Sequence, residues 1–128
     1  MNKNYHYFLN YLNTNTKNNE QTILDFGCGV GKLVKILNEA GLTTLGIDIN
    51  HTNNSDKYLN NSLIQEKKIQ IISPNSRLPF GDQYFDFIIS NMVFEHVFNI
   101  ELAMSEIYRV LKNDGVVYLR FPSYEVMR

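Results

Sequence analysis

A β-prone run that ends on alternating glycines and passes straight into a helix leaves a chain few folds to choose from. Here Thr22-Ile23-Leu24-Asp25-Phe26 closes on Gly27-Cys28-Gly29-Val30-Gly31. Val30, Leu33, Val34 and Leu37 then repeat at i, i+3, i+4 and i+7 as far as Gly41. The apolar period changes from that of a strand to that of a helix across the glycines, so the segment predicts strand, tight turn and helix. The alternation continues along the chain. Thr43 to Ile49 predicts a second strand, Ile69 to Ile72 a third, Phe85 to Ser90 a buried fourth, and Val116 to Phe121, behind an Asp114-Gly115 turn, a fifth. Tyr58, Leu59 and Leu63 supply the apolar face of an Asn-rich helix before the third strand; Ile100, Ala103, Ile107, Val110 and Leu111 mark an amphipathic helix before the fifth. Strands alternating with helices at these intervals imply an α/β chain with a doubly wound parallel sheet.

Tyr5, Phe8, Leu9 and Leu12 also sit at helical spacing, and the polar stretch Asn13 to Glu20 ends that pattern. Residues 1–20 are therefore expected to form a leading helix and loop, and residues 21–128 a single core. A chain of 128 residues with 44% hydrophobic content suits one domain. The net charge of −1, with the cations scattered, gives no electrostatic footprint for nucleic acid. Cys28 is the only cysteine, so no intramolecular disulfide forms and a cytoplasmic home is expected. Met1 to Leu12 lacks the apolar run of a signal peptide or membrane span, so no membrane partner is expected either.

In open α/β sheets a ligand lies outside the carboxyl ends of the strands, near the reversal of strand order. The exit of the first strand carries Asp25 and the glycines Gly27, Gly29 and Gly31, where backbone can approach a ligand closely. The second strand ends Gly46-Ile47-Asp48-Ile49, placing a carboxylate about twenty residues on, where ribose hydroxyls can donate to it. Together these define a nucleoside site. The dinucleotide fingerprint needs a glycine at the position of Lys32, one residue after Gly31, and Asp25 would repel a pyrophosphate but accept from an ammonium. A ligand with an amino-acid end fits better than a nicotinamide dinucleotide.

Ile23 to Lys32 resembles the first motif of the class I S-adenosylmethionine-dependent methyltransferases. Gly46-Ile47-Asp48 is similar to their second acidic strand end, and Leu78-Pro79-Phe80 through Phe85-Asp86-Phe87-Ile88-Ile89-Ser90-Asn91 to their fourth-strand motif. Glu106 to Gly115 resembles the helix and glycine turn that introduce their fifth strand. The resemblance covers about residues 23 to 121 and points to the small-molecule group that includes ubiquinone- and sugar-pathway enzymes. It implies a Rossmann-like sheet, truncated after the fifth strand with the C-terminal part of the fold missing, S-adenosylmethionine as cofactor, and a small-molecule methyl acceptor.

Carried over by position, the resemblance implies that Asp25 and Gly27 lie by the methionine end, with Cys28, Gly29 and Gly31 of the same turn also binding the cofactor. Asp48, with Ile49 beside it, would bind the ribose, and Ser90 and Asn91 would line the transferable methyl. Where the family usually has an acidic residue for the adenine amino group this chain has Pro74, so Asn75 or Ser76 would take that contact. Some ubiquinone-pathway relatives bind magnesium through Glu-x-x-Glu-His; here the first position is Met92, leaving Glu95 and His96, and no metal site is expected.

Other residues admit plainer readings. His96, after the fourth strand, is the candidate general base, against a surface histidine at a helix start. Tyr5, His6, Phe8 and Tyr11 can form a lid or simply a helix packed on the sheet. Asp86 and Cys28 are expected to be structural, and Arg109 a helix-surface cation favoured by the dipole. The competing functions are a nicotinamide-dependent oxidoreductase and a non-catalytic cofactor-binding or interaction module. The fifth strand, expected at an edge with Arg120 as its charge, suggests self-association.

Overall fold

The apolar runs pair side by side in parallel. The structure, a computed structural model, describes residues 6, 9–12, 21–49, 61–91, 97 and 99–120. In chain order the sheet and its helices are β1 (Thr22–Phe26), α1 (Lys32–Glu39), β2 (Thr43–Ile49), α2 (Asn61–Gln65), β3 (Ile69–Ile72), β4 (Phe85–Asn91), α3 (Ile100–Val110) and β5 (Leu111–Arg120). The strand order is β3-β2-β1-β4-β5, all parallel, so the winding reverses between β1 and β4. This is the expected doubly wound, Rossmann-like α/β sheet. The fourth strand runs one residue further than expected, through Asn91.

Successive residues of β1 point to opposite faces, and the two apolar clusters sort accordingly. Ile23 packs with Leu33 and Leu37 of α1, with Phe87 and Ile89 of β4, and with Leu12 of the leading helix. Leu24 packs on the other face with Ile47, Ile88, and Ile107 and Val110 of α3. Burying these strand and helix faces against each other is the main stabilising contribution, at roughly 25 cal/mol per Å² of apolar surface removed from water.

The helix α1 ends as glycine chemistry dictates. Gly41 takes φ +87, the amide of Leu42 donates to the Leu37 carbonyl and that of Gly41 to Asn38, which is a Schellman closure. The Asn38 side chain then accepts from the Thr44 amide and donates to its carbonyl, tying α1 to β2.

β5 differs from expectation. It begins at Leu111, directly after α3, and Leu111 pairs with Phe85 while Val116 pairs with Phe87. The exposed residues Lys112, Asn113 and Asp114 bulge out between these pairs. The Asp114-Gly115 turn signal is therefore spent on a bulge inside the strand. A Cβ on Gly115 would stand 2.5 Å from Leu111 Cδ1 and 2.9 Å from the Lys112 carbonyl, so glycine allows the chain to fold back over Leu111. Asp86 sits beside the bulge, accepting from the Thr22 amide at 2.8 Å and pairing with Lys112 at 3.3 Å, a structural role as expected.

Candidate cofactor site

The glycine loop is bound to β2 through its own backbone. The amides of Gly27 and Cys28 both donate to the Ile47 carbonyl at 2.9 Å, and that of Gly31 to Cys28 at 3.0 Å. Gly46 makes this approach possible, because a Cβ there would lie 2.8 Å from the Cys28 side chain and from Val34 Cγ2. The apex is held by Asp48, whose carboxylate accepts from the Gly29 amide at 2.6 Å and from its neighbour Ile49 at 2.7 Å.

Two glycines of this loop have opposite surroundings. Gly29, at φ +56, has nothing within 4 Å of where a Cβ would stand, so its face is open to a ligand. At Gly31, φ +86, a Cβ would collide with Ile69 Cδ1 and touch Leu63, so this glycine serves the packing of the loop on α2 and β3. The Cys28 thiol is likewise turned inward, against Val34, Leu63 and Ile69, and donates to the Gly29 carbonyl at 3.8 Å. Burial, reinforced by the charges of Asp25 and Asp48, drives its pKa far above the ordinary thiol range.

A cavity of about 260 Å³ opens beyond the carboxyl ends of β1, β2 and β3, under α3. Phe26, Ile47, Ile72 and Leu78 form its apolar floor and wall, and Leu102 and Ala103 of α3 its roof. Gly27, Asp48, Ile49, Asn75 and Ser76, all expected from the sequence, line it together. Ser76 donates its hydroxyl to the Ser73 carbonyl at 2.6 Å, whereas the Asn75 side chain makes no hydrogen bond among the described residues. Of the two residues expected to reach a base, Asn75 is the one with its polar group uncommitted.

Asp25, Ser90 and Asn91 stand at the strand ends but off the cavity wall. Asp25 is 4% exposed, in register with Gly46 and Ile89. Desolvation first, and then the charge of Asp48, push its carboxyl up to about 7. By alternation Asn91 shares the Asp25 face and Ser90 the opposite one. The Ser90 hydroxyl oxygen and Asn91 Oδ1 are buried without a hydrogen-bond partner among the described residues. His96, Glu95 and Met92 lie outside the described residues, as do Tyr5 and Phe8. In the leading helix His6 is exposed, Leu12 is fully buried, and Tyr11 packs on Phe87 and Tyr118. That part of the helix is docked on the sheet.

Sequence reasoning missed Phe26, Ile72, Leu78, Leu102, Ala103 and Glu106 at the cavity, and misjudged Arg109. The Arg109 side chain is only 19% exposed; it bonds Glu106, Asp82 and the carbonyls of Leu78 and Phe80, so it is not a simple surface cation. The signal was present, because Glu106 interrupts the apolar stripe of α3 three residues before Arg109, where a buried acid needs a partner.

A doubly wound parallel sheet with a cavity outside its strand ends, an acid on the second strand and an open glycine at the first defines a nucleoside-binding α/β domain. Residues 24–119 match the methyltransferase domain family, and the chain belongs to it, in agreement with the class I S-adenosylmethionine-dependent group that its motifs resemble. It is 33% identical over 101 residues to the mitochondrial ubiquinone biosynthesis O-methyltransferase of Rattus norvegicus, covering 76% of this chain and 29% of that protein. It is also 33% identical over 94 residues to the mitochondrial arginine-hydroxylase NDUFAF5 of the same species, covering 73% of this chain and 26% of the relative. The chain thus spans less than a third of either. Among solved structures, the YcgJ protein of Bacillus subtilis superposes with a TM-score of 0.70 at 28% identity, over 89% of this chain and 49% of that one. Among the described residues no helix is long and apolar enough to cross a membrane.

Proposed function

We propose that the chain binds S-adenosylmethionine across this site and directs its methyl group to a small-molecule acceptor. The observation that carries the reading is the arrangement of Asp25 and Asp48 on either side of a glycine loop whose apex is open at Gly29. When bound, the cofactor supplies an electrophilic methyl group on a sulfonium that departs as a neutral thioether.

The residues fit such a cofactor. Asp48, at the carboxyl end of β2 and on the cavity wall, is a charged acceptor of the kind that ribose hydroxyls donate to. Asp25, costly to ionise while alone, gains a partner when an ammonium arrives. The apolar floor of Ile49, Ile72 and Leu78 suits a purine, with Asn75 at its polar edge. Ser90 and Asn91, each with a buried polar atom unpartnered among the described residues, would stand near the reacting end, where alignment and water exclusion matter most. His96 would take the proton of a protonated acceptor. A dinucleotide fits worse, since the amides of Gly27, Cys28, Gly29 and Gly31 are already committed within the protein and two carboxylates flank the position of a pyrophosphate.

The small-molecule acceptor is supported by the relative named for ubiquinone biosynthesis. The relative named as an arginine-hydroxylase makes the transferred group itself worth measuring. Calorimetry with S-adenosylhomocysteine and with NADH tests the cofactor: binding of the first and not the second is expected, and the reverse would refute it. Label from methyl-labelled S-adenosylmethionine should appear in phenolic or quinol acceptors; a reaction that consumes no methyl group would overturn the transferase reading. β5 is the edge of the described sheet, and we infer self-association through it.

A further inference from the structure

The segment from Ser73 to Tyr84 contains no helix or strand, yet it supplies one wall of the cavity through Ser73, Asn75, Ser76 and Leu78. A wall of this kind keeps its shape only if its backbone groups are tied to something rigid. Here they are tied to α3. The Leu78 amide donates to Glu106 Oε1 at 2.7 Å, and the Leu78 carbonyl accepts from Arg109 Nη2 at 3.0 Å. Arg109 Nη1 donates to the Phe80 carbonyl at 2.8 Å and to Asp82 at 2.9 Å. The guanidinium is in turn forked onto Glu106, Nε to Oε2 at 2.8 Å and Nη2 to Oε1 at 2.9 Å. The amides of Gln83 and Tyr84 complete the seam on the carbonyls of Arg109 and Val110.

We propose that Glu106 and Arg109 are positioning residues for the cofactor's base: the pair sets the Leu78–Phe80 strap against α3 and so fixes the pocket in which the base sits. The inference rests on the cofactor reading above. Its basis is that Glu106 both lines the cavity and holds Leu78, a residue on the wall, by its amide. Hydrogen bonding from Arg109 keeps Glu106 ionised, so it serves as a fixed acceptor and not as a proton donor. Lysine at position 109 would retain the charge but not the planar fork that reaches a carboxylate and two carbonyls at once. On the cofactor reading, the ribose and amino-acid ends of the ligand depend on Asp48 and Asp25, which belong to β2 and β1 and not to the strap or to α3.

That separation provides the test. The dissociation constants of S-adenosylhomocysteine and of S-ribosylhomocysteine, which keeps the sugar and amino acid but has no base, are measured on the parent chain and on Arg109→Lys, with Glu106→Gln as the second variant should the first fold poorly. Circular dichroism at the titration temperature confirms that the variant is folded. The expected result is a loss of about tenfold or more for S-adenosylhomocysteine, as for losing hydrogen bonds to a charged group, with S-ribosylhomocysteine changed by less than about twofold. Equal losses for both ligands would make the pair a general structural staple, and no loss for either would also overturn the proposal. Failure of the parent to bind S-adenosylhomocysteine at all would instead remove the cofactor reading, and this inference with it.

Discussion

Replacing Asp25 by asparagine should make the free protein more stable and its ligand binding worse. Asp25 is 4% exposed, and its carboxyl is raised from 3.8 to about 7 by desolvation and by Asp48. A folded-state pKa above the unfolded value means that the folded chain holds its proton more tightly. The associated stability is fully present below pH 3.8 and is lost as the pH rises toward about 7. At roughly 1.4 kcal/mol per pH unit, the full cost of keeping Asp25 ionised above pH 7 is on the order of 4 kcal/mol. A buried amide without complete hydrogen bonding returns about 1–3 kcal/mol of this, so a net gain of roughly 1–3 kcal/mol at pH 8 is expected for Asp25→Asn. Urea unfolding of both proteins from pH 5 to pH 8 measures it, with the parent losing stability across that range and the difference narrowing toward pH 5. If Asp25 pairs with the ligand's ammonium as proposed, the same substitution should weaken S-adenosylhomocysteine by about 1.5–3 kcal/mol. In the parent, binding at pH 6 should be roughly tenfold weaker than at pH 8, since the ligand then competes with a proton. A variant no more stable than the parent at pH 8, with equal affinity for the ligand, would refute the reasoning at both steps.

Gly29→Val places a branched side chain at φ +56 in the open face of the loop. A folded protein that no longer gains melting temperature from S-adenosylhomocysteine is expected, and undiminished binding would show that the pocket lies elsewhere. Asp48→Ala should weaken binding by roughly 1.5–3 kcal/mol in calorimetry, because it removes a charged acceptor and releases the Gly29 amide; unchanged affinity would move the ribose away from β2. His96→Ala should lower turnover with cofactor affinity nearly intact, and identical pH–rate profiles for parent and variant would strip His96 of its role as base. Light scattering behind size-exclusion chromatography should show assemblies that dissociate on dilution, and a monomer at every concentration would refute pairing through β5.

The candidate site was only partly legible in the sequence. Gly27 and Asp48, which line the cavity, could be located because each stands at the end of a recognisable strand; Asp25, located the same way, stands off the cavity wall. The resemblance put the family's acidic adenine contact at Pro74 and so pointed to Asn75 or Ser76 beside it, yet nothing local distinguished Asn75 from Ser76, whose hydroxyl turns to Ser73. The apolar lining was missed because Phe26, Ile72 and Leu102 come from separate elements and look like ordinary core residues one at a time.

Periodicity along the chain determined the order of strands and helices, since burying one face of each element requires that spacing whatever its neighbours are. It also determined that the first turn must be glycine-rich. Only the tertiary structure decided what each glycine is for. Gly29 and Gly31 share a left-handed backbone, but Gly31 meets Ile69 from a strand far along the chain, while Gly29 meets nothing. The Asp114-Gly115 signal announced a turn ahead of the strand, but the structure spends it on a bulge inside β5, which follows from the pairing of Leu111 with Phe85 and Val116 with Phe87. Arg109 looked like a helix-end cation because its partners at Leu78 and Phe80 are about thirty residues away, and contacts across such a separation exist only after the chain has folded them together.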